Sequence, residues 1–240
     1  MKNIKEYILT LDADLVGFAD LAEIPAEKRG DFPYGIAIAI ALNPSIIKNI
    51  FVDPVAQYMK DYGEEYESVT KRLDEICELT AQYIVACGYK AIAQTRSFVN
   101  EQREDGKTKA KVPHKTVAAL SGFGWIGKNT LLITEKYGSA LRLTSVLTDA
   151  PISADKSEYS CNCGDCSICI DNCPGKAIKN IMWSTKTDRD DLIDFDACRK
   201  ASMLREEAVN EHAPCGICIS YCPHTQRYLK MEQKIQMRKP

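Results

Sequence analysis

The 240-residue sequence has no excess of either charge. Its 31 Lys and Arg stand against 33 Asp and Glu, for a formal charge of -2 and a pI near 6.0. No global field therefore draws the chain to nucleic acid, whose ligands usually carry a basic excess or stripe. The sequence also has no stretch approaching the roughly 18 uninterrupted apolar residues of a membrane span. Its first residues, Met1-Lys-Asn-Ile-Lys-Glu-Tyr7, contain no apolar run fit for a signal peptide. Solenoid-period repeats and low-complexity tracts are missing as well. These absences point to a folded cytoplasmic protein with no membrane partner.

Cysteine, by contrast, is plentiful: 11 residues, nine of them at or after Cys161. Thiols in a reducing compartment stay reduced and serve metals or catalysis. The asymmetry divides the chain into an α/β domain with a central sheet, residues 1–152, and a ferredoxin-like double-cluster domain, residues 153–240. Pro151 to Ser160 reads as the linker.

In the first part, Ile4, Tyr7, Ile8 and Leu11 recur at helical spacing, and Asp14 to Asp20 suits a strand. Gly35 to Leu42, GIAIAIAL, is a short apolar run suited to a strand buried on both faces. Val69, Leu73, Ile76, Thr80, Tyr83 and Cys87 mark one face of a long helix that Gly88 would end. Cys77 and Cys87 are thereby expected to pack inside. Lys90 to Gln94 suits a strand, and Pro113 the first turn of a short helix running to Leu120. Asn129 to Thr134 and Ala140 to Asp149 read as two strands joined by Glu135-Lys-Tyr-Gly138.

Between these lies SGFGWIGKNT, residues 121–130. Gly122, Gly124 and Gly127 fit GxGxxG, and Gly122 to Lys128 fits GxxxxGK, with Asn129 where a magnesium-binding hydroxyl belongs. Both nucleotide fingerprints need a strand before the loop and a helix after it. Here the order is reversed, which leaves a structural turn or a backbone surface for a bulky planar cofactor.

Cys163-Gly-Asp-Cys166-Ser-Ile-Cys169-Ile-Asp-Asn-Cys173-Pro174 matches CxxCxxCxxxCP, in which three thiolates hold one 4Fe-4S cube and the fourth reaches toward another. Cys215-Gly-Ile-Cys218-Ile-Ser-Tyr-Cys222-Pro223 is an incomplete second copy, and Cys198 supplies its missing ligand. The crossing of two-cluster ferredoxins then gives Cys163, Cys166, Cys169 and Cys222 to one cluster and Cys198, Cys215, Cys218 and Cys173 to the other. Structural zinc is usually held by two separated pairs, and a disulfide framework does not suit an odd cysteine count. Cys161 is left as a bystander. The acidic Asp188 to Asp196 reads as a solvated face, His212 and His224 as surface histidines, and Lys230 to Lys239 as a basic helix end.

With these motifs in view, the sequence resembles the core of epoxyqueuosine reductases. The resemblance rests on GFGWIGKNTLLIT, YGSALRLTSVLTD, the CxxCxxCxxxCP run, the lone Cys198 and the closing CxxCxxxCP. It implies an α/β domain carrying a corrinoid, with two clusters feeding electrons to its cobalt, and it sets Gly124, Trp125, Gly127, Lys128 and Asn129 beside cobalamin. The family's acidic proton donor falls in register on Thr108, so Asp105 or His114 would have to take that catalytic role. Longer members continue into a helical-repeat region associated with tRNA, which leaves tRNA a doubtful partner here. The expected activity is reduction of a small electrophile or modified nucleoside, with electrons from a ferredoxin or flavodoxin. Two rivals share the same cysteines: a dicluster electron-transfer protein, and a corrinoid-reducing activator without its own substrate.

Overall fold

The computed structural model of the chain describes residues 4–50, 55–102, 110–209 and 214–236. Asp105, Thr108 and His212 lie outside them, as does the end of the basic tail. In chain order the elements are α1 (Ile4–Leu9), β1 (Leu15–Asp20), α2 (Ala26–Arg29), β2 (Tyr34–Ala41), α3 (Pro44–Ile47), α4 (Val55–Ala86), β3 (Ala91–Ala93), α5 (Arg96–Glu101) and α6 (His114–Leu120). There follow β4 (Trp125–Ile126), β5 (Leu132–Ile133), β6 (Leu141–Thr148), α7 (Ile168–Asp171), α8 (Arg189–Leu192), α9 (Phe195–Val209), α10 (Ile217–Ser220) and α11 (Pro223–Gln236). No described helix is long and apolar enough to cross a membrane.

The chain forms two compact units that are not the expected contiguous halves. One comprises Met1–Ile40, Val69–Trp125 and Arg142–Tyr159; the other comprises Ala41–Ser68, Ile126–Leu141 and Ser160–Pro240. The boundary expected after residue 152 lies close to the last crossing. Two earlier segments, however, belong with the cysteine-rich end. Nothing in composition marks them, because their apolar residues look like any others.

The first unit is built on a four-stranded sheet of order β1-β2-β6-β3, with β1 antiparallel to β2 and β3 antiparallel to β6. Strand alternation sorts side chains by size. Ile36 and Ile38 of β2 join Val16 of β1, Ile4 and Ile8 of α1, Leu73, Ile76 and Ile84 of α4, and Val146 of β6 in one core. On the opposite face the small residues admit α6 and the turn after it. A methyl group at Gly35 would lie 2.7 Å from Val117, and one at Gly17 2.6 Å from Phe123. Cys77 is fully buried here as expected, its Sγ donating to the Ser145 carbonyl at 3.3 Å. Cys87 is exposed, contrary to expectation. Helix α4 ends at Ala86, and Gly88 turns away at φ 89°, so Cys87 no longer follows the buried face.

In the second unit, Asn43 caps α3 by accepting from Ser45 N, and Pro44 fills its first turn. The two strands expected from residues 129 to 149 do not pair with each other. The first is only β5, which pairs with β4 in a two-stranded sheet, whereas β6 belongs to the main sheet. As the sequence order suggested, a helix precedes the glycine loop and short strands follow it. The phosphate-facing helix N-terminus that a nucleotide site requires is therefore not next in the chain.

Candidate metal centres

Two foursomes of cysteine form in the second unit. Cys163, Cys166, Cys169 and Cys222 line a cavity of about 130 Å³ together with Asn129, Ile133, Asn162, Pro223 and His224. Cys218 lies within electrostatic reach of Cys215, Cys198 and Cys173, and Cys198 within reach of Cys173 and Cys215. Among the described residues the thiols do not close on a point as ligands of a single ion do. Those of the first foursome surround a volume, the geometry that a polynuclear cluster needs. The foursomes adjoin, because Cys169 of the first also acts on Cys218 of the second.

Local structure explains how each thiol is presented. Cys166 N donates to Cys163 O at 3.0 Å and Cys173 N to Ile170 O at 3.1 Å, folding the first run into a loop and the single turn of α7. Ala177 N donates to the Cys173 sulfur at 3.4 Å. Cys222 stands just before α11, where the amides of His224 and Thr225 donate to its sulfur. A helix N-terminus is a favourable place for a thiolate.

Burial opposes charge on these sulfurs, and so do their neighbours. Desolvation, followed by Cys163, Cys222 and Cys166, pushes Cys169 up to about 11. Desolvation also raises Cys198, Cys215, Cys218 and Cys222, with nearby cysteines adding to it. Crowded thiols that resist ionisation alone become thiolates when a cationic group binds among them and their protons leave. The donor set fits iron-sulfur clusters.

Residues outside the cysteine runs hold these loops. The buried Lys128 ammonium donates to Gly164 O at 2.7 Å and Cys166 O at 3.2 Å, while Asn129 Nδ2 reaches Cys218 O at 3.4 Å. Two of the five residues expected beside a corrinoid thus secure one cysteine loop each. Gly127 packs against Ile133, and Trp125 is buried. Gly124, at φ 151°, adopts a backbone that favours glycine. The turn before β6 is a second support. Ser139 N donates to Thr225 Oγ1 at 3.0 Å, Tyr137 meets Tyr228 edge-on at 5.3 Å, and Tyr228 Oη donates to Leu42 O at 3.1 Å. Sequence reasoning missed Thr225, which also donates to the Cys222 sulfur. It also took His224 for a surface residue, whereas His224 lines the first cavity. The adjacent Cys222-Pro223 pair was the available signal, since it fixes the start of the helix bearing both.

Cys161 is a partly exposed thiol hydrogen-bonded with Cys163 and outside both foursomes. Asp188 and Asp191 form a reciprocal capping box on α8, so part of the acidic run is helix punctuation. His114 departs from its expected role. Its Nδ1 lies 2.8 Å from Ser145 Oγ, which also accepts from Gln94 Nε2 at 2.7 Å. Desolvation of the ring, aided by the Arg142 guanidinium, pulls its pKa down to about 4. Such a ring is uncharged at pH 7 and suits a buried hydrogen bond better than proton donation.

Comparison with known proteins agrees with the thiol geometry. Residues 162–225 match the family described as 4Fe-4S double cluster binding domain, and two 4Fe-4S clusters are the cofactors of such a segment. The chain is similar to epoxyqueuosine reductase of Pseudomonas aeruginosa, 33% identical over 131 residues that make up 53% of this chain and 32% of that protein. Its fold matches a crystal structure of epoxyqueuosine reductase with an epoxyqueuosine-modified tRNA-Tyr stem loop. The TM-score is 0.60 at 17% identity, covering 94% of this chain and 65% of that one. It also matches a reductive dehalogenase whose structure suggests a mechanism for B12-dependent dehalogenation, with a TM-score of 0.67 at 18% identity over 98% of this chain and 34% of that one. The chain spans about a third of the length of the Pseudomonas protein, and less than two thirds of other curated epoxyqueuosine reductases that it matches.

Proposed function

We propose that this chain is an iron-sulfur oxidoreductase of the epoxyqueuosine reductase type, in which two 4Fe-4S clusters pass electrons to a corrinoid that reduces a small electrophilic substrate or a modified nucleoside. The observation that carries the reading is the pair of adjoining cysteine foursomes, with Cys169 of one acting on Cys218 of the other. Cys163, Cys166, Cys169 and Cys222 hold the first cluster; Cys173, Cys198, Cys215 and Cys218 hold the second. Lys128 pins the loop of the first and Asn129 the loop of the second. The helix N-terminus behind Cys222 adds amide donors that stabilise a ligating thiolate.

A corrinoid, when bound, supplies the strongly reducing metal centre that attacks or activates an electrophilic carbon. Support for it comes from the likeness to the reductases and to the B12-dependent dehalogenase fold. Of its expected neighbours, Lys128 and Asn129 are engaged with the cysteine loops, which leaves Gly124, Trp125 and Gly127 as the contribution of this stretch. That engagement favours the second reading, a dicluster electron-transfer protein or corrinoid-reducing activator with no substrate of its own. In either reading a ferredoxin or flavodoxin is a suitable donor. tRNA enters through the relative crystallised with a tRNA stem loop, and its binding is part of the first reading only.

The deciding experiment is anaerobic reconstitution with iron, sulfide and cobalamin, followed by desalting, metal analysis and an absorption spectrum. Retention of about eight iron and one cobalt supports the reductase. Eight iron with no cobalt supports the electron carrier. Retention of about four iron or fewer overturns both, because each requires two cubes.

A further inference from the structure

Beside the second cysteine foursome are two buried hydrogen-bond donors with no acceptor among the described residues: Tyr58 Oη and Arg205 Nε. Both belong to the second unit. Tyr58, on α4, is only 4% exposed, and its ring stacks on Tyr62 at 5.9 Å between centroids. Its hydroxyl rests over the backbone between two of the cysteines, for a methyl group built on Gly216 would lie 3.1 Å from Oη. Gly216 has φ 69° and is closely covered by Ile50, Tyr62 and Tyr58, so backbone and packing both suit glycine there. Cys215, Cys218 and the Arg205 guanidinium all act electrostatically on Tyr58, and Arg205 acts on Cys215.

A buried donor without an acceptor is costly, and native interiors rarely keep two in one place. Among the described residues no carbonyl or carboxylate accepts from either donor. What lies beside them is sulfur, a weak acceptor as a neutral thiol but a charged one when it ligates iron. We propose that Tyr58 Oη and Arg205 Nε donate to sulfur of the second cluster and hold its reduction potential up. The inference rests on the two-cluster reading. Donors and positive charge stabilise the more negative reduced cube over the oxidised one, so removing them favours the oxidised state. Tyr58 and Arg205 are thus tuning residues, acting on the cluster through its sulfurs rather than ligating iron.

The test uses the full chain with Cys166→Ala, in which only the second cluster remains. Retention of about four iron confirms the single-cluster background; full loading or complete loss overturns the two-cluster assignment and this inference with it. In that background Tyr58→Phe, which removes the hydroxyl alone, is followed by an EPR-monitored redox titration. The expected result is unchanged iron content and a midpoint displaced to more negative potential by about tenfold in the one-electron equilibrium, or about 59 mV. Arg205→Met should displace it in the same direction, and Arg205→Lys should restore part of the difference. An unchanged midpoint in loaded Tyr58→Phe and Arg205→Met overturns the inference while leaving the two-cluster reading intact. So does loss of iron in both variants, which would make the two side chains structural supports.

Discussion

In the first unit Ile38 is enclosed by apolar side chains from α1, α4 and two neighbouring strands, and packing alone accounts for its place. In the second, the stretch from Ser160 to Ser184 buries only Ala177, Ile178 and Trp183, and its one described helix is the four-residue α7. Ile36 and Ile38 of β2 with Leu73, Ile76 and Ile84 of α4 already outweigh the whole core of that stretch. A chain that buries so little cannot offset its conformational entropy by hydrophobic contact. The comparison teaches that the sheet is an apolar structure and that the cysteine loops need metal binding to supply what apolar burial does not.

Removing iron should give the largest effect. Chelation from the reconstituted chain is expected to open the amides of residues 161–176 to rapid hydrogen exchange while β2 and β6 stay protected, since metal-binding free energy in such loops is folding free energy. Protection lost equally in both regions would break the comparison. Unchanged protection of the loops would break it from the other side, by showing that lysine and backbone contacts suffice.

Cysteines sharpen the contrast further, because the same residue type should behave differently in each unit. Cys166→Ala and Cys198→Ala should each lower iron toward about four per chain, by removing a ligand from a different foursome. Cys77→Ala should leave iron content unchanged and lower stability by about 1 kcal/mol, the scale expected for removing a small buried group. Metal analysis and denaturant unfolding measure the two effects. Equal iron loss from Cys77→Ala and Cys166→Ala would sink the ligand assignment.

What the sequence disclosed follows the same division. GIAIAIAL gave β2 because a continuous apolar run is the mark of an interior strand, and Pro113 and Gly88 marked helix ends through their backbone restrictions. The cysteine spacing picked out Cys163, Cys166, Cys169 and Cys222, which line one cavity, since bonding to iron imposes short, repeated intervals. Spatial membership was hidden. Nothing local to residues 41–68 says that they join the cysteine-rich unit, because that depends on contacts such as Tyr58 over Gly216. Lys128 and Asn129 were found as a motif but given a different neighbour: a glycine loop announces close approach without saying what approaches. His114 was singled out for its ordinary pKa near neutrality, which burial then removed.

A smaller change tests the apolar side of the comparison. Gly35→Ala places a methyl group 2.7 Å from Val117 Cγ1, with Leu21 also close. Overpacking of this kind should cost about 1–3 kcal/mol, read as a lower unfolding midpoint for the first unit, with both clusters retained. Loss of iron from this variant would mean that the sheet's packing governs the cysteine loops, contrary to the division drawn above.

The smallest effect expected is electrostatic and belongs to His114. Its folded pKa, about 4, lies below the 6.5 of an unperturbed histidine. Above pH 6.5 the ring is neutral in both folded and unfolded chains and adds no pH dependence. As pH falls below 6.5 the unfolded chain takes up the proton first, so stability is lost progressively until the folded ring also protonates near pH 4. At pH 6 to 5.5 the loss should be about 1 kcal/mol. His114→Gln should flatten the dependence of the unfolding midpoint on pH across that window and leave iron loading at pH 7.5 unchanged. An equally steep decline in His114→Gln would trace the acid sensitivity to other groups, such as cluster ligands regaining protons. That outcome would move the pH-sensitive part of the molecule from the sheet unit to the cysteine loops, and with it the low-pH boundary between a packed region and a metal-dependent one.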